Sequence, residues 1–203
     1  MKIPLRLKVI VLLLVINSNY SCKNKKSTTN RQNIEVAVET ILSSIYKGNV
    51  EEINTKYIHP IYGLYDITRI GAMDNYSFLY SIPQEETKDV FSLYQYLFSS
   101  DNSKNITLIW EDVFFNCDDF SWDKNGVFVS KEHSYPSVTK IMRNQEHFEE
   151  ASFSDKAYKD INFIEENSIK VVDTENDLIL FFTKIENKWY LTMVDRVTTD
   201  CSA

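Results

Sequence analysis

The chain has 203 residues, and 22 Lys and Arg stand against 29 Asp and Glu, so its formal net charge is −7. A chain of this charge repels phosphate backbones, and it has no Lys/Arg cluster interleaved with aromatic residues, which argues against nucleic-acid binding. Only four Gly and four Pro accompany 12 Tyr and 12 Phe, which excludes a low-complexity chain and predicts a sizeable hydrophobic core.

The N-terminus has the three parts of a secretory signal peptide. Lys2, Arg6 and Lys8 form a basic start, and an unbroken run of eight apolar residues, 9–16, follows them. Eight apolar residues are too few to span a bilayer, which needs about 20. The pattern therefore predicts a removable signal over residues 1–21 rather than a retained membrane anchor.

Cys22 follows this segment directly and is preceded by a small residue, Ser21. The region resembles a bacterial lipoprotein signal, in which the cysteine after the cleavage site is diacylated and becomes the first mature residue. The resemblance implies an exported chain held by a lipid at Cys22, on the periplasmic face or the outer-membrane surface. Residues 23–30 contain no apolar side chain, so residues 22–31 are predicted to form a flexible tether.

The remaining residues, 32–203, suit one α+β domain that begins with two helices. The apolar residues of the first helix recur at helical spacing: Ile34, Val38, Ile41, Leu42 and Ile45. Gly48 ends this helix, and Asn49 with Glu52 has the capping-box spacing that begins a second one. Pro60 prevents the second helix from continuing.

The middle of the chain gives weaker signals. Residues 61–71 are rich in β-branched and aromatic side chains and predict an irregular strand, whereas residues 84–98 return to helical spacing. Residues 101–105 are polar and predict a loop. Residues 106–110 and 113–115 are typical of strands.

Asn125-Gly126 is the strongest hairpin signal in the chain, because both residues tolerate the positive φ of a type I′ turn. The segment 127–130 is expected to run back from this turn as a strand. Residues 137–150 and 154–166 are predicted to be weakly helical, or to be long excursions that contain helical turns.

The last 36 residues predict a three-stranded meander over 169–173, 178–185 and 188–197. The segment 178–182 is apolar on both faces, which favours a central strand. In the last strand, two rows alternate: Trp189, Leu191 and Met193 against Tyr190, Thr192 and Val194. The first row is expected to face the helices of residues 34–57 and the second row to line a concavity or face solvent.

With Cys22 assigned to the lipid, Cys117 and Cys201 remain. Export would place them in an oxidising compartment, where paired cysteines persist as disulfides. A bridge would close a loop of about 84 residues and stabilise the fold by roughly 4–5 kcal/mol. Two unpaired buried thiols are the alternative.

After a helical start, the chain ends in Phe181-Phe182-Thr183-Lys184-Ile185-Glu186-Asn187-Lys188-Trp189-Tyr190-Leu191-Thr192-Met193-Val194-Asp195. This ending resembles the nuclear-transport-factor-two-like, or cystatin-like, cone fold. That resemblance implies N-terminal helices packed on a curved antiparallel sheet that encloses an apolar concavity. Three further segments are similar to small lipoproteins of Gram-negative bacteria: Ile61-Tyr62-Gly63-Leu64-Tyr65, Ile70-Gly71-Ala72, and Cys117 together with Asp200-Cys201-Ser202-Ala203.

No metal site and no cofactor are predicted. His59, His133 and His147 do not form an H-E-x-x-H pattern, and no two of them are four residues apart. His147 beside Glu149 and Glu150 fits a solvated charged face better than a surface metal site. The acidic residues of the middle segment are interpreted as turn residues rather than calcium ligands: Glu111, Asp112, Asp118 and Asp119.

The chain has no G-x-S-x-G elbow, no P-loop and no G-x-G-x-x-G pattern. The leading hypothesis is a non-enzymatic, envelope-tethered module that binds a small molecule, a peptide or a protein in the concavity. Isomerases and dehydratases of the cone fold use an Asp or His base with a Tyr donor. The resemblance therefore implies an alternative, a small lyase or isomerase with Asp66, His59 and Tyr62 as its candidate residues. A structural lipoprotein of a larger envelope complex is the third hypothesis.

Overall fold

The computed structural model describes residues 33–83, 92–98, 106–130 and 137–202. The predicted signal peptide, the lipid cysteine and its tether lie outside these residues, as do His133, the predicted loop 101–105 and part of the predicted helix 84–98. The chain divides into two units between Val38 and Glu39. Residues 33–38 begin the first helix, and the compact unit that starts at Glu39 contains the other elements described below.

The helices follow the sequence pattern closely. They are α1 (33–46), α2 (Val50–Lys56), α3 (Leu93–Phe98), α4 (Val138–Phe148) and α5 (Asp155–Asn167). The predicted cap of α2 is confirmed, because the Asn49 side chain accepts a hydrogen bond from the Glu52 backbone N–H at 3.2 Å. Ser137 and Ser154 cap α4 and α5 in the same way, which explains why two segments of weak periodicity form definite helices.

The strands form one large sheet and one small one. They are β1 (Leu64–Ile70), β2 (Met73–Leu79), β3 (Leu108–Ile109), β4 (Phe115–Asn116), β5 (Ser121–Trp122), β6 (Val127–Ser130), β7 (Ser168–Asp173), β8 (Leu178–Ile185) and β9 (Lys188–Asp195). The large sheet has seven strands in the order β2-β1-β9-β8-β7-β6-β3. Its neighbours are antiparallel except for the β1–β9 and β3–β6 pairs. The α+β class and the C-terminal meander are therefore confirmed.

The hairpin expected at Asn125-Gly126 is wrong. β6 does follow it, but β6 pairs with β7 and β3 and not with the strand before the turn. Two consecutive positive φ angles occur instead at Glu186 (48°) and Asn187 (68°), in the β8–β9 turn. That turn needs them because a type I′ geometry matches the twist of the two long strands that it joins.

The last strand does not alternate regularly, because β9 contains a β-bulge. Phe182 pairs with Leu191 and Phe181 with Met193, so Thr192 is an extra residue between them. Since Phe181 and Phe182 are neighbours on a strand, their side chains point to opposite faces, and so do those of their partners. The expected single row of Trp189, Leu191 and Met193 is therefore wrong.

Both faces of the central strands are covered. On one face, the α4–α5 face, Phe181 and Met193 belong to a buried cluster with Ile141 of α4 and with Ile161 and Ile164 of α5. The opposite face is buried at Leu180, Phe182, Leu191 and Val194. At the ends of the strands, the hydroxyl of Tyr46, on α1, donates to the Asp173 carboxylate. The hydroxyl of Tyr96, on α3, donates to the Asp177 and Asp195 carbonyls.

The open sheet face expected from the sequence is therefore not found along β8. Seven of its eight residues are buried, because the second helical pair, α4 and α5, packs where the concavity was expected. Along β8, the described residues therefore leave no accessible site over the centre of the sheet.

Candidate functional site

The predicted cysteine pairing is confirmed. Cys117 and Cys201 form a disulfide in the structure, with their Cα atoms 5.5 Å apart. Cys117 follows β4, and Cys201 lies in the C-terminal tail after β9, so the bond joins the small sheet to the end of the chain. The backbone of the same tail is held by Arg69, whose Nη1 donates to the Asp200 carbonyl at 3.0 Å.

Asp66, the candidate base, is held in an ion pair. The Arg196 guanidinium donates through Nε at 2.9 Å and through Nη2 at 2.7 Å to its two carboxylate oxygens. Burial raises the pKa of Asp66, and the charge and hydrogen bonds of Arg196 act in the opposite direction. Both oxygens are therefore already engaged by a cation, which is a poor arrangement for taking a proton from a ligand.

His59 stabilises the turn between α2 and β1. Its Nδ1 accepts hydrogen bonds from the backbone N–H groups of Ile61 at 3.1 Å and Tyr62 at 3.3 Å. Only the neutral ring can accept at Nδ1, and burial lowers the pKa of His59 accordingly. The ring is 8% exposed, so it acts as a capping group for this turn.

Of the three candidate residues, His59 and Tyr62 are in contact, and Asp66 is separated from them. Tyr62 lines an open cleft, and the His59 ring packs against it at a tilt of 54°, with ring centroids 5.1 Å apart. Asp66 pairs with Val194 and lies on the opposite face of the sheet from Tyr65, which also lines the cleft. The constellation suggested by sequence proximity is thus split across the sheet.

The cleft itself has a volume of about 320 Å³. It lies between the β1–β2 hairpin and the first turns of α5. Its lining is dominated by aromatic and aliphatic side chains: Ile61, Tyr62, Tyr65, Tyr76, Phe78, Tyr80, Met142 and Ala157. We call it the aromatic cleft.

The rings of the aromatic cleft form a continuous series. Tyr65 lies 5.7 Å from Tyr76 and 5.0 Å from Phe78 between ring centroids, and Phe78 lies 4.9 Å from Tyr80. These are the spacings and tilts that aromatic pairs prefer. At the outer end the rings become accessible, since Tyr80 is 68% and Phe78 is 37% exposed.

Gly63 fixes the position of the central ring. A Cβ atom at Gly63 would lie 2.6 Å from the Phe78 ring and 2.7 Å from the Leu79 carbonyl oxygen, and the φ angle of this residue is +57°. Any other residue would both strain the backbone and displace Phe78. Gly63 therefore lets the Phe78 ring approach the start of β1 closely, at a position that lines the cleft.

The polar groups of the cleft lie at its rim. Lys156 and Asp160 form an ion pair one turn apart on α5, and Lys156 is largely exposed. Burial raises the pKa of Tyr65 and of Tyr76, so both phenols stay protonated and can donate hydrogen bonds. The site offers ring faces, hydroxyl donors and one ion pair, which suits binding better than proton abstraction.

A second depression, of about 640 Å³, is larger but polar and shallow. Two carboxylates line it, those of Glu39 and Glu52, and Glu52 is already bonded to Ser44 at 2.9 Å and to Lys56 at 2.8 Å. Among the described residues, no group of three or more His, Cys, Asp and Glu side chains could hold a metal ion.

Sequence reasoning identified one residue of the aromatic cleft, Tyr62, and missed the others. The missed signal was the period-two spacing of Tyr76, Phe78 and Tyr80, which places three rings on one face of an extended segment. No strand was predicted there, because the segment also contains polar residues and follows a glycine.

Comparison with protein-family models, with curated proteins and with solved structures finds no match for this chain. Within the part of the chain that the structure describes, no helix is long and apolar enough to cross a membrane.

Proposed function

We propose that this protein is an envelope-tethered lipoprotein whose domain binds a ligand in the aromatic cleft without catalysing a reaction. The observation that carries the proposal is a partly exposed series of rings in a cleft whose described lining has one carboxylate, Asp160, already paired with Lys156. Ligand sites are typically concave and mostly apolar, with a few polar groups that orient the ligand. The aromatic cleft combines aromatic and aliphatic side chains with tyrosine hydroxyls and the Lys156–Asp160 ion pair.

The alternative, a small lyase or isomerase, has less support. Its two candidate bases, Asp66 and His59, are engaged by Arg196 and by the backbone of a turn. Neither of them lines the cleft in which Tyr62 lies.

The proposed kinship with the nuclear-transport-factor-two-like cone rests on the order of helices, hairpin and final meander. In this proposal the ligand site has moved from the centre of the sheet to its margin, because α4 and α5 fill the central space. The Ile141 and Ile161 side chains in the buried cluster support this account.

The proposed location rests on the N-terminal sequence and on the disulfide, since paired cysteines persist mainly in oxidising compartments. If the anchor is the lipid at Cys22, a Cys22→Ala variant should move from the membrane fraction to the soluble envelope fraction. Fractionation followed by immunodetection measures this change, with a Ser27→Ala variant of the tether as the matched control. Retention of the Cys22 variant in the membrane after signal cleavage would show that the anchor lies elsewhere.

The binding proposal is tested with two defined sets of probes, a displayed library of random octapeptides and an array of glycans. Binders selected on the parent domain are titrated against Tyr80→Ala and Ile61→Ala, which remove exposed parts of the cleft. We expect the dissociation constant to rise about ten-fold or more, as for the loss of a buried aromatic contact.

The matched control is Phe148→Ala, because Phe148 is 66% exposed and lies outside the cleft. It should leave binding unchanged. Binders that tolerate both cleft variants, or the absence of any binder from either set, would overturn the proposal.

A further inference from the structure

We propose that the ligand of the aromatic cleft is an extended peptide that pairs with β2 and adds an eighth strand to the seven-stranded sheet. This inference rests on the proposed function and specifies its ligand class. It starts from the position of β2 at one end of the strand order, where, among the described strands, it has a neighbour, β1, on one side only.

The edge strand β2 is long and regular. All seven of its residues pair with β1 in one unbroken register, from Leu64↔Leu79 to Ile70↔Met73. Proteins usually protect such an edge with Lys, Pro, a bulge, an inward-pointing charge, or a helix or loop that covers it. The helix α4 reaches this edge at Gln145, whose side chain bonds to Asn75. β2 contains neither Lys nor Pro and no bulge, and its one charge, Asp74, is paired with Arg69 on β1 at 2.9 Å.

The outer edge of β2 exposes alternate backbone groups. Met73 and Ile70 flank the two-residue turn Gly71-Ala72, so hydrogen-bonded and non-bonded pairs alternate from there. On this pattern the N–H and C=O groups of Asp74, Tyr76 and Phe78 point away from β1. In the described residues, no backbone group bonds to this edge.

One contact supports this assignment directly. The Tyr76 N–H donates to the Oδ1 atom of the neighbouring Asn75 side chain at 2.7 Å rather than to β1. The same oxygen accepts a hydrogen bond from Nε2 of Gln145, on α4, at 2.9 Å. A carbonyl oxygen of a paired peptide would take the place of Asn75 Oδ1 on that N–H.

The edge and the cleft belong to one surface. Tyr76 and Phe78 line the aromatic cleft with their side chains and direct backbone groups toward the edge, where the Tyr76 N–H is bonded to Asn75 Oδ1. A strand paired here would lie about 4.8 Å from β2, and every second side chain would point to the face that carries the cleft. Backbone pairing would then supply affinity, and the rings would select apolar side chains at alternate positions.

A peptide fits these features better than a sugar or a small apolar molecule. Only another backbone offers donors and acceptors at the spacing of an unpaired strand edge. The formal charge of the chain, −7, further favours a peptide that carries Lys or Arg. A second copy of the chain is a less favourable partner at this edge, because it carries the same net negative charge.

The experiment is an N-methyl scan of an octapeptide selected from the displayed library on the parent domain. N-methylation removes one backbone donor and leaves the side chain in place. We expect methylation at alternate positions to weaken binding about ten-fold or more, since each removes a hydrogen bond to β2. Methylation at the intervening positions, whose N–H groups face away from β2, should change the dissociation constant less than about two-fold.

The outcomes separate this inference from the proposed function. A peptide that is weakened by Tyr80→Ala but shows no alternation in the scan would overturn strand pairing and leave cleft binding intact. Selection of glycans alone would do the same. A parent domain that is dimeric by sedimentation and whose dimer is broken by Phe78→Lys would assign the edge to a second copy and would also overturn the inference.

Discussion

Replacing Cys117 and Cys201 together by Ala should lower the free energy of unfolding by about 4–5 kcal/mol. The bond closes a loop of 84 residues. On the chain-entropy model, its loss raises the conformational entropy of the unfolded chain and so stabilises the unfolded state by that free energy. Since domains of this size are stable by only about 5–15 kcal/mol, the variant should be marginally folded at 37 °C.

Urea unfolding followed by tryptophan fluorescence measures the difference. The parent domain in reductant is the matched control, because it lacks the bond but keeps both side chains. Parent and variant should then unfold at the same urea concentration. A variant within about 1 kcal/mol of the oxidised parent would mean that the bond constrains only the C-terminal tail.

Phe181→Ala and Phe182→Ala should each cost about 3–5 kcal/mol, although the two side chains are neighbours on one strand. Phe181 is 1% and Phe182 is 0% exposed. Phe181 packs on the α4–α5 face, and Phe182 packs on the opposite face beside Leu180 and Leu191. In a sheet with one open face, one of the two substitutions would be mild.

The measurement is again urea unfolding, with Phe148→Ala as the exposed control, expected within about 0.5 kcal/mol of the parent. If an Ala variant does not fold, Phe181→Leu and Phe182→Leu should show smaller losses of about 1–1.5 kcal/mol each. A full loss at one position beside a loss under about 1 kcal/mol at the other would show that one face of β8 is not packed.

These two predictions differ in how much of them the sequence alone supports. The cysteine pairing followed from counting, because two cysteines remained after one was assigned to the lipid. The packing of both sheet faces did not follow from the strand pattern. Apolar alternation in β9 suggested a single row. The bulge at Thr192 shifts the alternation by one residue, so that Leu191 and Met193 face opposite sides of the sheet.

The bulge depends on interactions that local sequence does not specify. Thr192 is fully buried, and its hydroxyl bonds to Thr183 Oγ1 at 2.7 Å and to the Phe181 carbonyl at 3.3 Å. Thr183 in turn bonds to Ser168 on β7 at 2.7 Å. Three hydroxyls from three strands satisfy one another, so the extra residue can be buried at little cost.

The sequence by itself predicted the first two helices, the Asn49 cap, the meander and the disulfide pair, because these depend on local periodicity, a capping side chain and a residue count. The tertiary structure decided the site. It paired β1 with β9, so that Asp66 turned toward Arg196 and away from the cleft. It also left β2 at the edge of the sheet, with its rings in the aromatic cleft. Strand order depends on contacts between residues that are far apart in the chain, and so does the side to which a buried carboxylate points. Asp66 and Arg196, for example, are more than 100 positions apart. No local sequence pattern encodes such contacts.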